Sequence, residues 1–97
     1  MAVARHFFMN AAESKAEALE AALRNLADTL REIPGCEGVE LLQDIDDSRV
    51  CVFIEKWASV EAHKEGSKRL TQDDLAPLIG ALESLPREGY FAYLKTV

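Results

Sequence analysis

Hydrophobic positions along this chain follow two periods in turn, and their order lays out a fold. Residues 2–9, Ala-Val-Ala-Arg-His-Phe-Phe-Met, favour β structure and are interrupted by only two polar side chains, which predicts a strand. Leu19, Leu23, Leu26, Leu30 and Ile33 then recur at steps of four and three, one face of a helix. Ser14 opens Ser-Lys-Ala-Glu, a capping-box sequence closed by Glu17, and Pro34-Gly35 stops the helix. The outer face carries Glu20, Arg24, Asp28 and Arg31, spaced so that opposite charges meet.

Residues 38–45 predict a second strand with Val39, Leu41 and Ile45 on one face, and Asp46-Asp47-Ser48 predicts a turn. Residues 49–57, Arg-Val-Cys-Val-Phe-Ile-Glu-Lys-Trp, make the strongest strand of the chain. A short helix runs from Ser59, its cap, to Gly66. Thr71-Gln-Asp-Asp starts another helical stretch, whose stripe is Leu75, Leu78, Ile79, Leu82 and Leu85. Pro77 sits early in it, and Pro86 marks its exit. Residues 89–96 give a last strand. The order is βαββαβ, so the expected fold is α+β and ferredoxin-like. A four-stranded antiparallel sheet would carry helices on one face, as one domain over residues 1–97.

Three of these strands are apolar on both faces, although helices can cover only one. Val50, Val52 and Ile54 oppose Cys51, Phe53 and Trp57. Val3, Phe7 and Met9 oppose Ala2, Ala4 and Phe8, while Tyr90, Ala92 and Leu94 oppose Phe91 and Tyr93. An uncovered apolar face of several hundred Å² is more than soluble monomers usually show. A second copy laid sheet against sheet about a two-fold axis is the simplest cover, so a homodimer through the sheet face is expected.

Composition narrows the partners. Eleven Lys and Arg against 17 Asp and Glu in 97 residues give a net charge of −6, which argues against nucleic acid. No apolar run nears the ~18 residues of a membrane span, so no membrane partner is expected. Cys36 and Cys51 fall on the two arms of the predicted hairpin, with an offset of roughly 20 Å along the strands. Bridged Cα atoms lie within about 7 Å, so no disulfide is expected. Two free thiols point to a reducing, cytoplasmic compartment. Asp46-Asp47 and Asp73-Asp74 read as a turn and a helix N-terminus before they read as metal ligands. The chain has no Gly-rich phosphate loop, Rossmann fingerprint, HExxH or Gly-x-Ser-x-Gly elbow.

Four fragments occur in a recognisable order. They are Pro34-Gly35-Cys36, the run from Val39 to Asp47, Val52-Phe53-Ile54-Glu55-Lys56-Trp57, and Ser59-Val60-Glu61-Ala62-His63. They form a Pro-Gly-Cys helix exit, a strand ending in an acidic turn, a strand ending in Glu-x-Trp, and a short helix. On these residues the chain resembles the antibiotic biosynthesis monooxygenase domain family, one of the dimeric α+β barrels, over nearly its whole length. The resemblance implies a small dimer with sheets packed face to face and a cavity between sheet and helices. Some members of that family oxidise polycyclic phenols or quinols with molecular oxygen and no cofactor, the substrate supplying the electrons. For this chain the resemblance implies a cofactor-independent monooxygenase acting on an aromatic phenol or quinol. A non-catalytic small-molecule-binding or stress-associated homodimer, and an isomerase- or dehydratase-type relative, remain as alternatives on the same fold.

The pattern also departs from the family. Many members carry a His about nine residues after the tryptophan. Here that position is Gly66, and His63 stands six residues after Trp57. Haem-degrading members carry an Asn on the first strand, and a Trp and a His on later helices. Asn10 meets the first condition only, since the single Trp lies on a strand. No haem is expected.

A cofactor-free oxygenation asks for a dry aromatic cavity, a group to take a phenolic proton, and a donor to stabilise the resulting anion or peroxide. His63 is the first candidate base because histidine titrates nearest neutral pH, with a solvated helix histidine as the plain alternative. His6, between Arg5 and Phe7, is a second candidate facing either the helices or the dimer interface. Glu55 lies inside an apolar strand, where burial raises a carboxyl pKa unless a cation pairs with it. Arg5 on the neighbouring strand is the expected partner, as a structural ion pair or an anion site. Arg5, Trp57, Tyr93 and Asn10 make up the candidate substrate-binding set, Trp57 and Tyr93 being equally readable as packing.

Overall fold

A computed structural model describes all 97 residues. The elements run β1 (Val3–Asn10), α1 (Ala16–Arg31), β2 (Cys36–Gln43), β3 (Val50–Trp57), α2 (Val60–Ser67), α3 (Gln72–Ala81) and β4 (Arg87–Ala92). The strands form one antiparallel sheet in the order β2-β3-β1-β4. This is the ferredoxin-like arrangement, with its second crossover divided between two helices.

Register decides which side chains share a face. Val3 pairs with Trp57, Arg5 with Glu55, Phe7 with Phe53 and Met9 with Cys51 across β1 and β3. Arg5 also sits opposite Tyr90 of β4, while Val39 of β2 sits opposite Glu55. These residues face the helices, where α1 lays down Leu19, Leu23, Leu26 and Leu30, all buried. Ile33 closes the same core just beyond the helix. The alternate residues, among them His6, Phe8, Val52, Ile54 and Phe91, occupy the opposite face, which no helix covers. Cys36 lies opposite Trp57 and Cys51 opposite Gln43, and both are free thiols.

Several element ends differ from the hydrophobic pattern, each for a local reason. Ser14 does not cap α1. Backbone hydrogen bonds from Ala11 to Arg49 O and from Ala12 to Ala81 O pin the chain just after β1. The reversal that follows puts Ser14 at a left-handed φ of 67°, and Lys15 holds the N-cap position without a side-chain bond. Strand β2 ends at Gln43 because the Asp44 carboxylate accepts the N–H groups of Asp46 and Asp47 at 2.8 and 3.2 Å. Ile45 is thereby left in the turn, fully exposed. Helix α3 begins with the Thr71–Asp74 capping box and runs through Pro77 without interruption. Of its predicted stripe Leu78 is buried, whereas Leu85 lies past the helix end and is 92% exposed. Strand β4 stops at Ala92, earlier than predicted. No helix is long and apolar enough to cross a membrane.

Two glycines let α2 approach the sheet. Gly35 turns the chain at a φ of 91°, and a Cβ there would come within 2.9 Å of the Ala62 Cβ. At Gly66 a Cβ would fall 2.6 Å from Trp57 Cη2 and Cζ3 and 2.9 Å from Ile33 Cγ2. The Trp57 ring is fully buried and has nowhere to retreat. Gly66→Ala is therefore expected to destabilise the protein by about 1–2 kcal/mol net, overpacking outweighing the gain in helix propensity. Gly80→Ala, in α3 with nothing within 4 Å of the new Cβ, is expected to stabilise it by up to about 1 kcal/mol. Denaturant unfolding of the two variants checks both signs.

Candidate functional site

Alternation along β3 sets Phe53, Glu55 and Trp57 in a row on the helix-facing side. They floor a cavity of about 150 Å³ between the sheet and the helices. Phe7 and Met9 extend the floor from β1, and Leu26 and Leu30 come down from α1. His63 and Ser67 of α2, Leu70, Leu75 and Leu78 in or just before α3, and Pro86 before β4 complete the lining. Only Glu55, His63 and Ser67 among these residues are polar. A larger, more open groove of about 510 Å³ between α1 and β2 is lined by Glu20, Arg24, Asp28 and Gln43 and contains none of the candidate residues.

Glu55 is 4% exposed, the one charged residue type in the buried core. Its carboxylate accepts a hydrogen bond of 2.8 Å from the Trp57 indole N–H. The ion pair expected with Arg5 is not formed. Arg5 sits across the ladder from Glu55, but its guanidinium turns to β4, where it pairs with Glu88 at 2.6 Å and lies 4.3 Å over the Tyr90 ring. Burial pushes the Glu55 pKa from an ordinary 4.5 up to about 7. The indole N–H and the more distant Arg5 charge hold it down only in part, and Glu88 adds to the rise.

His63 projects from α2 toward the same residues. Its ring meets Trp57 edge-on at 5.5 Å and Tyr90 at 5.2 Å. Nδ1 and the Tyr90 hydroxyl share a hydrogen bond of 2.5 Å, with the donor set by the imidazole tautomer. Burial, then the positive charges of Arg5 and Lys64, lowers the His63 pKa against the opposing pull of Glu88. The shift favours the neutral imidazole, on the same cavity as a carboxyl that holds its proton up to about pH 7.

The remaining candidates are dispersed. His6 lies on the uncovered face, edge-on to Phe91 at 4.8 Å and stacked toward Phe8. Tyr93 lies beyond β4 with Lys56 5.4 Å from its ring centre, also away from the cavity. Asn10 ends β1, exposed, and its carbonyl accepts the Glu83 N–H. Arg5 stands behind the His63–Tyr90 pair rather than in the lining. Tyr90, by contrast, meets His63 and lies outside the candidate set. The sequence signal for it was its position two residues from Ala92 on the face opposite Phe91. Which of those faces met the helices depended on the β1–β4 register. The missing histidine at position 66 also has an explanation, since the Trp57 ring fills that place.

Residues 2–68 match the family described as antibiotic biosynthesis monooxygenase. Among solved structures, PA3566 from Pseudomonas aeruginosa is 28% identical with a TM-score of 0.81, covering 97% of this chain and 95% of that one. Rv0793 from Mycobacterium tuberculosis is 21% identical, with a TM-score of 0.85 and coverage of 99% and 98%. A mutant of SnoaB, a cofactor-independent oxygenase from Streptomyces nogalater, is 18% identical, with a TM-score of 0.86 and coverage of 99% and 96%. No curated protein matches the sequence.

The buried carboxyl makes stability depend on pH with a definite sign. Below pH 4.5 Glu55 is protonated whether the chain is folded or not; between 4.5 and about 7 only the folded protein keeps the proton, so stability falls as pH rises. Above about 7 the full cost, on the order of 3 kcal/mol, is present. Glu55→Gln keeps an acceptor for the indole N–H and removes the charge. It is expected to be about 2–3 kcal/mol more stable than the parent at pH 8 and nearly equal to it near pH 4.5, as read from urea unfolding at the two pH values.

Proposed function

Because the chain belongs to the antibiotic biosynthesis monooxygenase family, we propose that it is a monooxygenase-like protein that oxidises an aromatic phenol or quinol with molecular oxygen, without a cofactor, in the cavity on β3. The observation that supports this most is a pair of neutralised acid–base groups on one apolar cavity. Glu55 is raised to about 7 and His63 is lowered, so the carboxylic acid and the free imidazole coexist just below pH 7. SnoaB shares the fold at 18% identity, and the oxygenase reading rests on the family and the cavity rather than on that likeness.

In this mechanism His63 is the base. With its own proton on Nδ1, donated to the Tyr90 oxygen, it accepts the substrate hydroxyl proton at Nε2. The phenolate passes one electron to O₂, and the two radicals join through a new C–O bond that leaves the second oxygen as a ring peroxide. Protonated Glu55 gives its proton to the distal peroxide oxygen, and its carboxylate takes back the hydrogen of the oxygenated ring carbon. That C–H electron pair forms the new C=O as the O–O bond breaks and hydroxide leaves, to become water with the proton first taken by His63. One oxygen stays on the ring and the other leaves as water, so that quinol plus O₂ becomes hydroxyquinone plus water. Trp57 forms the aromatic floor against which the ring lies, and the Arg5–Glu88 pair holds Tyr90 in place. His6, Tyr93 and Asn10 have no part in this cavity.

A homodimer through the uncovered sheet face belongs to the same proposal. That face carries Phe8, Leu42, Phe91 and Tyr93, all substantially exposed, and His6 Nδ1 is buried there without a hydrogen-bond partner. A second copy would cover the apolar side chains and offer a partner to the imidazole. Sedimentation velocity at micromolar concentration is expected to give twice the chain mass; the mass of one chain contradicts the pairing.

Oxygen uptake with a panel of hydroquinones tests the reaction. Uptake is expected to fall as pH rises above about 7, where Glu55 loses its proton. His63→Ala and Glu55→Gln are each expected to slow it by on the order of 100-fold. Binding of a phenol with no uptake across the panel would replace the oxygenase with a binding protein, and turnover without oxygen would point to an isomerase or dehydratase.

A further inference from the structure

The cavity on β3 is small for its family's polycyclic substrates. Its volume is about 150 Å³, the size at which an apolar protein cavity accepts benzene. Sites for larger ligands run from about 300 Å³ upward. Its inner walls are also fixed. Phe53 and Trp57 are fully buried on the floor, and Leu30 opposite them is 1% exposed, so all three belong to the main core. Moving any of them to admit a second ring would break packing shared with α1.

The lining sets polarity as well as size. Glu55 and His63 are the only titratable groups on the wall, and no cation is among the lining residues. The nearest guanidinium, that of Arg5, is engaged by Glu88. A ligand carboxylate would have to lose its water beside the Glu55 carboxyl with nothing to balance it. A ligand hydroxyl has an acceptor and a donor waiting at those two side chains.

We propose that the cavity takes a single uncharged aromatic ring bearing a hydroxyl, a simple phenol or monocyclic hydroquinone, and rejects fused-ring quinols and aromatic acids. The inference rests on reading this cavity as the substrate site. It concerns binding, and so it can be tested apart from turnover.

Trp57 is the only tryptophan in the chain and forms the floor of the cavity. Its single indole N–H resonance therefore reports occupancy directly. Under anaerobic conditions at about pH 6, where Glu55 keeps its proton, the protein is titrated with p-cresol, methylhydroquinone, 1,4-dihydroxynaphthalene and 4-hydroxybenzoate. The two monocyclic neutral compounds are expected to shift the resonance with dissociation constants about tenfold or more below those of the other two. Leu30→Ala, which opens the wall opposite Trp57, is expected to narrow the gap for the bicyclic compound, and Leu75→Ala at the partly exposed outer end serves if the first variant is not folded. Equal or tighter binding of the bicyclic compound or of the acid by the parent protein overturns the inference, as does the lack of any shift with the monocyclic pair. Selective monocyclic binding with no oxygen uptake would leave the inference standing and remove the oxygenase reading alone.

Discussion

The Trp57 indole N–H reaches back along its own strand to the Glu55 carboxyl, 2.8 Å away, and both side chains are buried. Much of the site follows from that bond. It fixes the plane of the indole, and the indole in turn leaves room for nothing larger than glycine at position 66. Gly66 lets α2 settle onto the sheet, and Gly35 lets the chain before β2 approach Ala62 of the same helix. A helix held at that height presents His63 to Trp57 on one side and to Tyr90 on the other. Arg5 and Glu88 then complete the surround from β1 and β4.

This arrangement carries an energetic cost that packing alone would avoid. A leucine at position 55 would need no hydrogen bond and would lose nothing as the pH rises. A carboxyl there has one donor and no contacting cation, and above about pH 7 it opposes folding. Groups held in so unfavourable a state cluster where chemistry needs a shifted proton affinity. The neighbouring histidine is displaced in the opposite direction, which leaves both groups uncharged in the same range of pH.

The architecture is largely legible in the sequence. Strand alternation and the α1 leucine stripe gave the element order, and the inward set of β3 followed from its parity. Glu55 and Trp57 could be placed together on that ground alone. The ends of elements were less readable because single side chains decide them: the Asp44 turn strands Ile45, and the pinned exit of β1 denies Ser14 its capping role. The site was readable only along one strand at a time. Parity separates His6 from Arg5, but only the β1–β3 ladder shows that the odd residues of β1 face the helices. Tyr93 and Tyr90 differ in the same way, and the pairing of Arg5 with Tyr90 across the sheet selects the second. The Arg5–Glu55 pair failed because a third strand supplied Glu88, a competitor that adjacency of β1 and β3 does not reveal.

Burial holds the Glu55 carboxyl uncharged up to about pH 7. A ¹³C NMR titration of the glutamate side-chain carbons, with Glu55 assigned by comparison with Glu55→Gln, measures this directly. One glutamate is expected to titrate with a midpoint at about 7. A Glu55 midpoint at its ordinary value of 4.5 would contradict this.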